Sequence, residues 1–150
     1  MNNYIEERLE LKVPISKVWK AISDYQEFGD WFRVRVEAPF VPGRSARGKL
    51  TYPGYEDSPW QITVKEMKPE SLFSFTWHPY AVDPAKDYSH EIPTLVEFRL
   101  EKIPLGTVLL LKESGFDKIP KERQLEAFRM NSKGWAEQMK NIKAHVLKKS

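Results

Sequence analysis

The sequence predicts an α+β fold: a curved antiparallel β-sheet closed by one long C-terminal α-helix, with short helices after the first strand. Three observations carry that reading. Apolar and polar residues alternate with a period of two through successive short segments. The turn dipeptides Pro42-Gly43 and Pro53-Gly54 punctuate them. The end of the chain then switches to a helical period. Strands joined by short turns pair antiparallel, and a single amphipathic helix must cover the apolar face they create.

From Tyr4 to Val13, Ile5, Leu9, Leu11 and Val13 fall on one face, and Tyr4, Glu6, Arg8, Glu10 and Lys12 on the other. That is a strand with one wet side. Pro14 ends the pattern, and Ser16 is the expected N-cap of a short helix carrying Val18, Ile22 and Tyr25. Gly29, with Asp24 and Asp30, suggests a break before Trp31-Phe32. A short strand is expected over Gly48 to Tyr52. Trp60, Ile62 and Val64 mark the next, and Phe73, Phe75 and Trp77 the one after Pro69-Glu70-Ser71. His78 to Pro93, containing Pro79 and Pro84, reads as a loop. Structureless loops beyond about 12–15 residues are uncommon in compact domains and often functional, here as a gate. Val96, Phe98 and Leu100 form a further strand, and Pro104-Leu105-Gly106 a hairpin connection into Thr107 to Glu113. Both faces of that last strand are apolar, so periodicity leaves its inward side open. Leu125, Phe128, Trp135, Met139, Ile142 and Val146 then make one helical stripe, predicting a helix from about Lys121 to Lys148. Lys140, Lys143, Lys148 and Lys149 cluster where cations oppose the macrodipole favourably. Gly134 interrupts the stripe, as a kink or a point of close approach.

At 150 residues the chain is expected to form a single domain, 1–150. A domain of that length buries about 70% of the surface its unfolded chain exposes, so it needs no staple. It has no cysteine, hence no disulfide framework or thiolate site. The opening residues Met1 to Glu7 have neither the basic nor the apolar region of a secretory signal, and a cytoplasmic location is expected. No apolar run approaches the roughly 20 residues that span a bilayer. The net charge of +3 is the near-balance of 24 basic and 21 acidic residues, which describes a solvated surface and not a nucleic-acid footprint. One local excess stands out: Arg33, Arg35, Arg44, Arg47 and Lys49 against Glu37, either a solvated edge or a basic rim for an anionic ligand.

The stretch Val13-Pro14-Ile15-Ser16-Lys17-Val18-Trp19-Lys20-Ala21-Ile22-Ser23-Asp24, followed by Trp31-Phe32, resembles the opening of START-like helix-grip proteins (the SRPBCC superfamily). More narrowly, it is similar to bacterial homologues of the C-terminal domain of the heat-shock chaperone ATPase activator. Thr107 to Phe116, ending Glu113-Ser114-Gly115-Phe116, resembles that family's last strand, and Gly134-Trp135 its habitual Gly-Trp pair in the final helix. The resemblance implies a sheet wrapped around the C-terminal helix with a cavity between them. It also implies a small hydrophobic ligand of lipid, polyketide or phenolic type. Two other roles stay open on the same fold: a cyclase or dehydratase acting in that cavity, and a chaperone-linked protein-interaction module.

The aromatic face is the strongest candidate site. Trp60, Phe73, Phe75, Trp77 and Phe98 are expected to point toward the helix, where they serve either as core or as the wall of an apolar pocket. Trp31, Trp135 and Met139 join them, with Tyr52, His78, Tyr80 and Gln138 as polar groups at the rim. The three histidines, His78, His90 and His145, lack metal-ligand spacing, and no cofactor is expected. Ser114-Gly115 lacks the pattern of a nucleophile elbow. Asp24, Asp30, Glu66 and Glu113 are acid–base candidates only if buried. Glu113 is the most notable, because it ends an otherwise apolar strand.

Overall fold

A computed structural model describes residues 3–148; Met1, Asn2 and Lys149, which entered the readings above, lie outside them. Seven strands and three helices follow in the order β1 (Tyr4–Leu11), α1 (Ile15–Ser23), α2 (Tyr25–Phe32), β2 (Val34–Val36), β3 (Ser45–Leu50), β4 (Pro59–Lys68), β5 (Leu72–Trp77), β6 (Thr94–Ile103), β7 (Gly106–Ser114) and α3 (Lys121–Val146). The strands form one antiparallel sheet in the order β1-β7-β6-β5-β4-β3-β2. The chain runs as a meander from β2 to β7, and β1 returns to pair with β7. One face of the curved sheet packs on α3, which also touches α1, α2 and β1. The result is a helix-grip fold.

The period-two segments bury as their alternation requires. Ile5 and Leu11, Trp60, Ile62 and Val64, and Val96, Phe98 and Leu100 all lie in the core. In β7 the inward side is Leu109, Leu111 and Glu113. Both sides of β5 are buried, including Ser74. A register shift between Val64 and Glu66 bends β4 there, and Ser74 Oγ accepts from the Glu66 N–H at 3.2 Å.

Several boundaries differ from the sequence reading. Ser16 lies exposed inside α1 and does not cap it, because Pro14 starts the helix. Asp24 is the true cap, of α2, accepting from the Gln26 and Glu27 N–H groups at 2.8 and 3.1 Å. Tyr25 accordingly opens α2. The expected strand over Gly48 to Tyr52 runs from Ser45 to Leu50, and β2 was not anticipated. Leu125 is 57% exposed, so the buried stripe of α3 begins at Ala127.

Gly29 is not a break but a contact point. A Cβ there would stand 2.3 Å from Val34 O, so its absence lets α2 lie directly on β2. Gly134 is the opposite case, with nothing within 4 Å of a Cβ. Gly29→Ala is therefore expected to destabilise by about 1–3 kcal/mol or more, as overpacking does. Gly134→Ala should gain up to about 1 kcal/mol of helix propensity. Paired urea titrations check the contrast, and equal midpoints for the two variants would refute it.

Candidate functional site

The ladder between β4 and β5 ends at Thr63 opposite Thr76. Beyond it, Pro59 to Ile62 pair only with β3, and Trp77 pairs only with Thr94 of β6. The two strands part, and a cleft of about 870 Å³ opens between them. Inner-face residues Trp60, Ile62 and Trp77 and outer-face residues Gln61, Thr63 and Thr76 line it together, which places the opening in the sheet itself. The 78–93 loop borders it through His78, Tyr80, Val82 and Pro93. A smaller cavity of about 250 Å³ adjoins it, sharing Phe32, Leu50, Trp77, Tyr80, Val82 and Asn131. Its helical wall is Met130, Asn131, Gly134, Trp135, Glu137 and Gln138, three adjacent pairs that recur about one turn apart along one side of α3. The missing side chain at Gly134 leaves that wall open.

Phe32, the last residue of α2, is the aromatic hub. Its ring lies 6.0 Å from Trp60, 6.1 Å from Trp77 and 6.0 Å from Trp135. Gln138 Nε2 donates to Phe32 O at 2.9 Å and ties α3 to the end of α2. Trp77 stacks on Trp135 at 5.7 Å. Arg33 lies over the Tyr52 ring at 5.5 Å.

Behind this wall sits Glu113, fully buried. Its Oε2 accepts from Trp77 Nε1 (2.7 Å) and Thr94 Oγ1 (2.5 Å). Its Oε1 accepts from Trp135 Nε1 (2.8 Å), and Asn131 Nδ2 reaches both oxygens (2.9 and 3.2 Å). Four neutral side chains from β5, β6 and α3 thus converge on one carboxylate of β7.

A second polar cluster holds the loop. Arg123, in the first turn of α3, donates to both oxygens of Glu91 (2.7–3.2 Å), to Tyr80 O (3.2 Å) and to Pro79 O (3.1 Å). Its guanidinium lies 4.7 Å from the centre of the Tyr88 ring. The Glu91 side chain is 1% exposed. Burial alone would raise its pKa, but the hydrogen bonds and charge of Arg123, aided by Lys86 and His78, bring it below the usual value. Burial lowers the pKa of His78, Glu91 opposes that, and Arg123 and His90 add to it. His78 Nδ1 and Trp60 Nε1 are buried without a hydrogen-bond partner among the described residues.

Of the expected lining residues, Tyr52, Trp60, Trp77, His78, Tyr80, Trp135 and Gln138 meet at the two cavities. Phe73, Phe75 and Phe98 line neither and are fully buried in the core, and Met139 is buried in the α3 stripe. Trp31 is core as well, its Nε1 donating to Ala21 O at 2.8 Å and locking α2 to α1. Asn131 and Phe32 were not anticipated as lining residues, nor the Arg123–Glu91 pair. Only Phe32 carried a local signal, its place beside Trp31. Among the described residues no His, Asp or Glu cluster is placed to hold a metal ion, and no helix is long and apolar enough to cross a membrane.

The family model for Activator of Hsp90 ATPase homolog 1-like protein matches residues 12–146, from the end of β1 to the end of α3. The chain belongs to that family. The same architecture is found in solved structures of bacterial proteins of low sequence identity. Protein MLL2253 from Mesorhizobium loti is 20% identical with a TM-score of 0.74, over 95% of this chain and 96% of the other. Protein CV1439 from Chromobacterium violaceum is 17% identical with a TM-score of 0.75, over 99% of this chain and all of the other (100%). DynU16, a protein of the dynemicin biosynthetic locus, is 20% identical with a TM-score of 0.74, and the match spans 97% of this chain but 48% of DynU16. No curated protein matches the sequence.

Proposed function

We propose that the chain binds a small, mainly apolar molecule of lipid, polyketide or phenolic type in the cleft between β4, β5, the 78–93 loop and α3. One observation carries the reading. A fold that buries Phe73, Phe75 and Phe98 completely leaves about 870 Å³ open beside Trp60, Trp77 and Phe32. That lies within the roughly 300–1,000 Å³ of small-molecule sites, which likewise pair apolar walls with a few convergent polar groups. The rim adds Arg47 and Lys49 against Glu37, which favours an anionic group at that end of the ligand. Packing alone gives no reason for the two unpartnered buried nitrogens in the same walls. The fold neighbour from a biosynthetic locus fits small-molecule handling on this architecture. Binding is favoured over catalysis because Glu113, the buried carboxylate held by the lining residues Trp77, Asn131 and Trp135, is covered by them and Thr94 and is out of direct reach of a ligand. It is favoured over a protein-interaction role because the feature is a cleft and not a flat apolar patch.

Native mass spectrometry of protein purified without added ligand tests this directly. A retained mass of a few hundred daltons, released by organic solvent, is the expected result. Bare protein, together with no change in thermal midpoint on adding apolar probes, would refute it. Tyr80→Phe then addresses the rim. Loss of a hydroxyl that orients the ligand lowers affinity by about 0.5–1.5 kcal/mol, while the ligand-free urea midpoint stays put. Unchanged affinity removes Tyr80 from the site.

A further inference from the structure

We propose that Glu113 is a positioning residue that holds Asn131 with its amide oxygen toward the cleft, so that the site selects a molecule carrying a hydroxyl or N–H donor at that point. The inference rests on the binding reading above and names the polarity of what is bound.

Indole and amide nitrogens only donate, and a carboxylate only accepts. Asn131 Nδ2 lies within hydrogen-bond distance of both Glu113 oxygens, so the NH₂ end of this planar amide is committed to the buried carboxylate. Turning the amide over would set its oxygen against two carboxylate oxygens and leave the carboxylate short of a donor. The amide is therefore held one way round. Its Oδ1 has no partner among the described residues, and Asn131 borders both cavities. The cleft thus contains a fixed acceptor in a wall that also includes Phe32, Leu50 and Trp77. A ligand donor placed there gains a hydrogen bond in apolar surroundings, whereas a methyl or ether group leaves the acceptor dry and unpaired. Glu113 touches no ligand and acts through Asn131.

The test uses two probes of nearly equal shape, β-naphthol and β-methylnaphthalene, titrated calorimetrically into the wild type, Asn131→Leu and Glu113→Gln. The quantity read is the ratio of the two affinities within each protein, which cancels general effects of a mutation on the pocket. The wild-type ratio should favour the naphthol more than the Asn131→Leu ratio does, by about three- to tenfold, the worth of one hydrogen bond. Glu113→Gln brings both a donor and an acceptor to Asn131, so the amide is no longer held one way round and the ratio should fall similarly. Asn131→Leu keeps much of the side-chain volume and leaves Glu113 its donors from Trp77, Thr94 and Trp135. It decides the matter alone should Glu113→Gln not fold. Binding of both probes with the same ratio in all folded proteins overturns this inference and leaves the binding reading intact. Binding of neither probe to the wild type overturns both.

Discussion

Trp135→Ala is expected to unfold at a urea concentration lower by on the order of 2 M. That figure follows from a loss of about 3–5 kcal/mol for truncating a buried aromatic and an m-value of about 1–3 kcal/mol/M for a small protein. Trp135 is 2% exposed at the middle of α3. Its ring meets Phe32, Trp77 and Phe98 at 6.0, 5.7 and 5.8 Å, so one side chain joins α3 to α2, β5 and β6. Its removal empties space that these three rings cannot jointly fill. It also takes one indole donor from Glu113, and a buried acceptor losing a partner costs about 1–3 kcal/mol. Trp135→Phe separates the two effects, since it keeps most of the ring and removes the donor. Its midpoint should fall between those of the wild type and Trp135→Ala. Total stabilities lie at about 5–15 kcal/mol, so the alanine variant loses a large part of what holds the domain folded. A Trp135→Ala midpoint within experimental error of the wild type would mean that α3 does not dock through this residue.

The same residue shows what was legible in the sequence. Burial imposes a period of two on a half-buried strand and 3.6 on a covering helix, so β1, β4, β6 and the α3 stripe could be read from composition along the chain. Leu125 broke the rule because the first turns of α3 are covered differently: Phe116, in the 3₁₀ turn at Phe116–Lys118, packs on Phe128 at 5.3 Å, and Leu125 faces solvent. Strand β2 was too short to show a period. The division of the aromatics into wall and core was not legible. Phe73 and Phe75 alternate in β5 just as Trp77 does. The difference between them arises where β4 and β5 separate past Thr63 and Thr76, and that depends on pairing between segments. Glu113 drew notice because a charge ended an apolar strand. Its partner Asn131, 18 residues on, carried no local sign of the contact. Arg123 and Glu91, 32 residues apart, were equally silent.

Arg123→Met is expected to free the 78–93 loop. Arg123 fastens the loop near both ends, through the Pro79 and Tyr80 carbonyls at one and Glu91 at the other. Its removal leaves the buried Glu91 carboxylate with no hydrogen-bonded cation, only the long 3.9 Å ion pair to Lys86. Breaking a buried ion pair in this way costs about 3–5 kcal/mol when the charge must stay buried. A loop can instead swing its carboxylate into water, so the cost should surface as local opening. Amide exchange over residues 80–91 should accelerate by orders of magnitude, while β5 and β6 keep their protection. Ligand binding should weaken in parallel, because His78, Tyr80 and Val82 leave the wall of the cleft. Acid should act on the wild type in the same direction. The folded-state pKa of Glu91 is lowered from its ordinary 4.5, so the closed loop has its full stabilisation above that value and loses it as pH falls through the folded-state pKa. His78, lowered from 6.5, adds an earlier step of the same sign, since the open loop takes up its proton first. With Arg123 gone, the largest force holding the Glu91 pKa down is gone too, and the acid step assigned to Glu91 should vanish from the variant. Exchange in the loop that is equal in wild type and Arg123→Met, across this pH range, would show that the loop is held by its own packing and that the guanidinium is no latch.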